Sequence, residues 1–176
     1  MAARRGKLCG RFVISGNLDT QMKRILLTGM SGTGKSSLIQ ALRRLGYRAV
    51  DMDEPGWSTH SATGDWIWRE DRVADLLNEA EGEVIFISGC AENQGQFYPH
   101  LEHIILLSAP AAVLVEHIQT RTNNPYGKKP EELAAVLHNL ATIEPLLRRG
   151  ATAEIDTSAP LDEVLTAVLR AVGERP

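Results

Sequence analysis

The sequence predicts an α/β fold, a three-layer domain around a doubly wound, parallel, five-stranded sheet. Three observations carry that expectation. Short apolar runs alternate with helical patterns along the chain, the first run joins the first helix through a glycine-rich turn, and polar residues follow the runs at the strand ends, where such sheets hold ligands. With 176 residues and 43% hydrophobic content the chain can bury one good core. Residues 22–176 are therefore expected to form a single domain.

Residues 1–21 carry Arg4, Arg5, Lys7 and Arg11 around a short apolar stretch, Phe12 to Ile14, too brief for a secretory signal. They are expected to be a flexible N-terminal extension, with Met22 as a candidate native start. Ile25 to Leu27 form the first strand and Ser37 to Leu45 the first helix, capped by Gly46. Tyr47 to Val50 form a second strand that delivers Asp51-Met52-Asp53, and a polar loop follows to Gly64. From Asp65 the spacing predicts a helix with Trp66 or Ile67, Val73, Leu76 and Leu77 on one side, stopped by Glu81-Gly82. Val84 to Ile87 and His103 to Leu107 read as buried parallel strands, the former ending in Ser88-Gly89-Cys90. Pro110 opens a helix to about Thr120, and residues 121–130 have loop chemistry rich in cations. Glu131 to Arg149 are helical with a break near Pro145, Ala153 to Ile155 make the fifth strand, and Pro160 to about Val172 the last helix. Asp162 and Glu163 suit that helix's first turn.

The turn between the first strand and helix fits G-x-x-x-x-G-K-[ST] at Gly29, Gly34, Lys35 and Ser36. Its glycines let successive N–H groups face phosphate oxygens, and the helix start adds its positive dipole end. Ser31, Gly32, Thr33 and Ser37 complete the cradle, Lys35 reaches the terminal phosphates and the Ser36 hydroxyl ligates magnesium. Net charge near −3 and a pI near 6.0 argue against a general nucleic-acid binder. No apolar run approaches the roughly 18 residues of a membrane span. Cys9 and Cys90 are far apart, which suits a reducing, cytoplasmic setting better than a disulfide framework. The five histidines have no metal-site spacing.

Asp51 and Asp53, two apart on an extended segment, can point into one cleft, where carboxylates serve magnesium and the acceptor in phosphoryl transfer. Either could instead cap the following turn. Together with the loop, Arg69-Glu70 at a helix start, Glu-Pro-Leu-Leu at 144–147 and Ile-Asp-Thr at 155–157, this Asp-x-Asp resembles the shikimate kinases and the wider nucleoside-monophosphate-kinase-like group, from about residue 23 to 172. That resemblance implies strand order 2-3-1-4-5, an acceptor-binding region over about 53–80 and a lid over about 121–130. It assigns Asp51 to magnesium, Asp53 to the acceptor hydroxyl, Arg69 and Gly89 to the acceptor, Arg121 and Lys128 to the ATP phosphates, and the space near Arg121 and the loop Asp156 to Pro160 to the adenine. Lys35, Asp53 and Arg121 would be the catalytic set. The chain departs from the group where a glycine triplet would stand, at Ser88-Gly89-Cys90, and lacks the arginine expected beside Pro145-Leu146. Both departures point away from shikimate itself.

Several residues admit a second, structural reading. Arg69 and Arg72, three apart, could grip an anion or belong to a solvated ion-pair face. Trp57, Trp66 and Trp68 could stack on a ring or simply pack this region, and Glu92, Asn93 and Gln94 could bind a polar acceptor or form a loop. The expected function is an ATP- and magnesium-dependent phosphotransferase acting on a small polar metabolite or nucleotide, as a monomer or homodimer. The alternative is a regulatory nucleotide-binding protein that transfers nothing. Ser88 argues against an ordinary hydrolytic switch, because it stands where the magnesium-side carboxylate after the third strand would be.

Overall fold

The computed structural model describes residues 23–78 and 84–175. The extension at 1–21, Met22, Cys9 and the helix stop at Glu81-Gly82 lie outside them. Five parallel strands form the central sheet: β1 (Lys23–Thr28), β2 (Arg48–Asp51), β5 (Val84–Ser88), β6 (His103–Ser108) and β7 (Ala153–Asp156), in the order β2-β5-β1-β6-β7. Counting only these strands, that order is the expected 2-3-1-4-5.

Apolar runs become central strands because alternate side chains must be buried on both faces. Ile25 and Leu27 of β1 join Phe86, Ile105 and Leu107 on the face covered by α1 (Lys35–Arg44) and α6 (Leu161–Ala171). Leu26 joins Ile85, Ile87 and Ile104 on the opposite face, against α2 (Glu70–Asn78) and a 3-10 helix (Glu92–His100). A third cluster around Leu106, Leu114 and Leu147 packs under α3 (Ala111–Thr120), α4 (Pro130–Thr142) and α5 (Glu144–Gly150). The break between α4 and α5 falls at Ile143, two residues before Pro145, whose missing N–H could not continue a ladder.

Two segments differ from the sequence expectation. Residues 58–68 fold into an antiparallel hairpin of β3 (Ser58–His60) and β4 (Trp66–Trp68), and the helix starts only at Glu70. Trp66, Ile67 and Trp68 gain cross-strand partners in His60, Thr59 and Ser58, and bulky aromatics favour that pleated setting over a helix. The polar run after β5 is the 3-10 helix rather than a loop, held in part by the buried Gln94 amide, which donates to the Tyr98 hydroxyl at 2.9 Å. Register aligns the carboxyl ends of the strands: Leu27 and Asp51 both lie beside Ser88, and Ser108 lies beside Asp156. The loops leaving those ends build one cleft. Among the described residues no helix is long and apolar enough to cross a membrane.

Candidate active site

The cleft has a volume of about 1200 Å³ and runs from the loop before α1 to the β3–β4 hairpin. Gly29 leaves β1 in contact with the next strand, where a Cβ would stand 2.2 Å from the Leu107 carbonyl oxygen. Gly34 starts α1 at φ +82°, with nothing within 4 Å of its would-be side chain. Between them Thr33 is turned inward: it is 1% exposed and its hydroxyl donates to the Met30 carbonyl at 2.9 Å. Ser31, Gly32, Ser36 and Ser37 line the cleft. The buried Lys35 ammonium donates to the carbonyls of Gly29 at 2.6 Å and Met30 at 2.9 Å, so the loop itself holds this cation at the cleft floor.

Helix α3 supports the loop from the side. His117 Nδ1 donates to the Gly32 carbonyl at 2.9 Å, and Arg121, four residues on, donates to Ser31 Oγ at 3.2 Å and to the Tyr126 carbonyl at 2.6 Å. Burial pushes the Arg121 guanidinium below its ordinary range. Ile118 lies between two glycines, with Cγ1 3.1 Å from a Cβ built at Gly32 and Cγ2 3.0 Å from one built at Gly127. Loop 121–130 is thereby packed onto the phosphate loop. Lys128 is exposed and does not line the cleft, whereas Asn123, Asn124 and Tyr126 do. Thr157 to Pro160 line the far end, where Ser158 N–H donates to Asp156 Oδ1 at 2.8 Å.

The two carboxylates separate. Asp51 ends β2 almost buried, 5% exposed, and its Oδ1 accepts from the Asp53 N–H at 3.1 Å. Its neighbour in register is Ser88, whose buried hydroxyl has no hydrogen-bond partner. Asp53 lines the cleft itself. The surrounding walls raise its carboxyl above the usual range by desolvation, Lys35 pulls it down, the Asp51 charge pushes it up, and a hydrogen bond donated by the Trp66 side chain lowers it. Asp53 is thus a stronger base than an ordinary carboxylate, placed within the field of a cation.

Arg69 does not reach the cleft: its side chain is 44% exposed and pairs with Asp71 at 3.2 Å. The hairpin causes this, since Arg69 follows β4 and its N–H donates to the Trp57 carbonyl at 2.8 Å. Arg72 lies over the Trp57 ring, 5.5 Å from its centroid. Gly89 lies outside the cleft lining too and provides space, for a Cβ there would stand 3.1 Å from Trp68 Cζ2. The three tryptophans split in role. Trp68 is 1% exposed and belongs to the core, Trp57 packs beside it, and Trp66 lines the cleft with His60.

His117 and His60 were not singled out by sequence reasoning as site residues; Trp66, weighed there as a stacking or packing residue, lines the cleft, and Asn93, weighed as an acceptor ligand or a loop residue, does not. For His117 a signal exists, because its spacing of four from Arg121 puts both on one helix face. Asn93 clamps β4 by accepting from the Trp68 N–H and donating to its carbonyl, both at 2.9 Å.

The family model for the AAA domain matches residues 25–138. A protein of Archaeoglobus fulgidus named "Putative adenylate kinase" is 29% identical over 155 residues, covering 82% of this chain and 79% of that one. Among solved structures, the shikimate kinase from Bacteroides thetaiotaomicron aligns with a TM-score of 0.62 at 18% identity, covering 86% of this chain and 99% of that one. A gluconokinase from Sinorhizobium meliloti 1021 aligns with a TM-score of 0.58 at 20% identity, covering 86% and 91%.

Proposed function

The chain belongs to the AAA domain family and has the fold of the phosphate-loop kinases of the shikimate and nucleoside-monophosphate type, and from that premise we propose that it transfers the γ-phosphate of ATP, with magnesium, to a small polar acceptor. One observation carries this reading: a single cleft is lined at once by the whole phosphate loop and by Asp53, a carboxylate made more basic by its surroundings. A nucleotide-binding module would need only the first half.

The division of labour follows from the chemistry. Backbone N–H groups of Gly29 to Ser37 and the start of α1 hold the phosphates, and Lys35 and Arg121 neutralise charge where it develops during transfer. Asp53 orients the acceptor oxygen and takes its proton as that oxygen bonds to phosphorus and the bond to ADP breaks. Ser36 and Asp51 would hold magnesium, and their oxygen donors, with the unpartnered Ser88 hydroxyl beside Asp51, fit that ion's preference. Among the described residues no group of three His, Cys, Asp or Glu could hold a metal, so an ion there would depend on phosphate oxygens and water for its other ligands. When bound, magnesium supplies charge neutralisation at the phosphates. The adenine belongs at Thr157 to Pro160.

Asp53→Asn tests the assignment. Turnover should fall by about 10²- to 10⁴-fold, the usual contribution of a general base, while ATP affinity changes little. Full turnover in that variant would remove Asp53 from the mechanism.

A further inference from the structure

We infer that the phosphoryl acceptor is an uncharged, ring-bearing alcohol, held by stacking on the rings of Trp66 and His60, with its reacting hydroxyl at Asp53. This acceptor class presupposes the phosphotransferase reading above and narrows it.

The first ground is charge. Among the described residues lining the cleft, Lys35 and Arg121 are the only lysine and arginine, and both are committed to the phosphate loop, Lys35 through the Gly29 and Met30 carbonyls and Arg121 through Ser31. The cations nearest in sequence to the hairpin are engaged elsewhere, Arg69 with Asp71 and Arg72 over Trp57. An acceptor carrying a carboxylate or phosphate would enter a half-cleft whose own fixed charge is the anion Asp53. Like charges in a partly desolvated site repel, and among the described residues lining that side no lysine or arginine offsets the repulsion.

The second ground is the aromatic wall. Trp66 is 38% exposed in the cleft, and the His60 ring meets it edge-on at 5.1 Å and 64°. These rings are held in place. His60 and Trp66 are direct cross-strand partners, Asn93 clamps β4 at Trp68, and Trp68 is wedged between Gly89 and Phe97, whose ring centroid is 5.7 Å away. Residues 66 and 68 point to the same face of β4, so burying one fixes the other at about 6.7 Å along the strand. Trp66 and Asp53 line the same cleft, which sets the stacking surface on the side of the base. His60 Nδ1 donates to the Gly64 carbonyl at 3.0 Å, leaving Nε2 to accept a hydroxyl proton. A rigid indole face beside a carboxylate recognises the face of a ring and one of its hydroxyl groups, features shared by nucleosides and cyclic polyols.

Matched acceptor pairs test this at pH 8, with ATP and magnesium, reading ADP release above a no-acceptor control. The pairs are each nucleoside with its 5′-monophosphate, and inositol with shikimate. The neutral member of at least one pair should give a kcat/KM at least tenfold above its anionic partner, and the responding pair tells nucleoside from polyol. For that acceptor, Trp66→Ala should raise KM about tenfold at unchanged KM for ATP. Trp66→Phe should keep the acceptor KM. ADP release only with the anionic members would leave the phosphotransferase intact and overturn the neutral acceptor, as would a Trp66→Ala variant with unchanged acceptor KM. No acceptor-dependent release with any member overturns both.

Discussion

Alanine at Gly29 should destabilise the fold by about 2 to 6 kcal/mol, and alanine at Gly34 by only about 1 to 2 kcal/mol, although both belong to one loop. At Gly34 the only cost is the dihedral, since φ is +82° and nothing lies within 4 Å of the new methyl group. Gly29 adds a collision. Its φ is +149°, and the methyl would stand 2.2 Å from the Leu107 carbonyl oxygen and 3.1 Å from Thr33 Oγ1. Leu107 is fully buried in β6, next to β1 at the sheet centre, so its carbonyl cannot yield without moving the strand. Urea unfolding of both variants and the parent reads the difference as a shift in midpoint at constant m-value. Equal losses at the two positions, or a larger loss at Gly34, would refute the claim that close approach to β6 sets the geometry of the phosphate loop.

Three further outcomes follow from the same contacts. Asp53→Asn should stabilise the protein at pH 7 while it removes activity, because desolvation raises the native carboxyl above its unfolded value. A raised acid binds its proton first in the native state, so the variant's advantage should shrink as the pH falls through the native and then the unfolded pKa; thermal melts at pH 7 and pH 4 check both signs. Asn93→Ala removes both hydrogen bonds to the Trp68 backbone and should cost about 1 to 3 kcal/mol, and steady-state kinetics should show a raised acceptor KM at unchanged KM for ATP. Arg148→Met should cost about 1 to 3 kcal/mol by urea unfolding, since Arg148 bridges Glu154 at 2.8 Å and Glu144 at 2.7 Å, and Glu144 is nearly buried with its other oxygen already unpartnered.

Sequence legibility followed the range of the interactions involved. The five parallel strands were readable because a run such as Ile25-Leu26-Leu27 has no stable place except between neighbours, buried on both faces. The phosphate loop was readable because its chemistry is local: Gly29 to Ser36 carry the phosphate-binding pattern within eight consecutive residues. The hairpin was not, because Trp66, Ile67 and Trp68 fit a helical stripe as well as a strand, and the deciding partners, Ser58 to His60 and Asn93, lie 6 to 25 residues away. Arg69, assigned to the acceptor by the family resemblance, follows that hairpin and does not line the cleft. His117 became visible as a cleft residue only once α3 was seated against the phosphate loop, and only the hairpin separates Trp66, which faces the cleft, from Trp68, which packs in the core.

The central claim is that one cleft holds a phosphoryl donor at the Gly29 to Ser37 loop and an acceptor at Asp53. Release of ADP from magnesium-ATP, with and without candidate acceptors, measures it most directly. An acceptor-stimulated rate that Lys35→Ala and Asp53→Asn each abolish is the predicted result. Hydrolysis indifferent to every acceptor, or nucleotide binding without turnover, would contradict it and leave a regulatory nucleotide-binding protein.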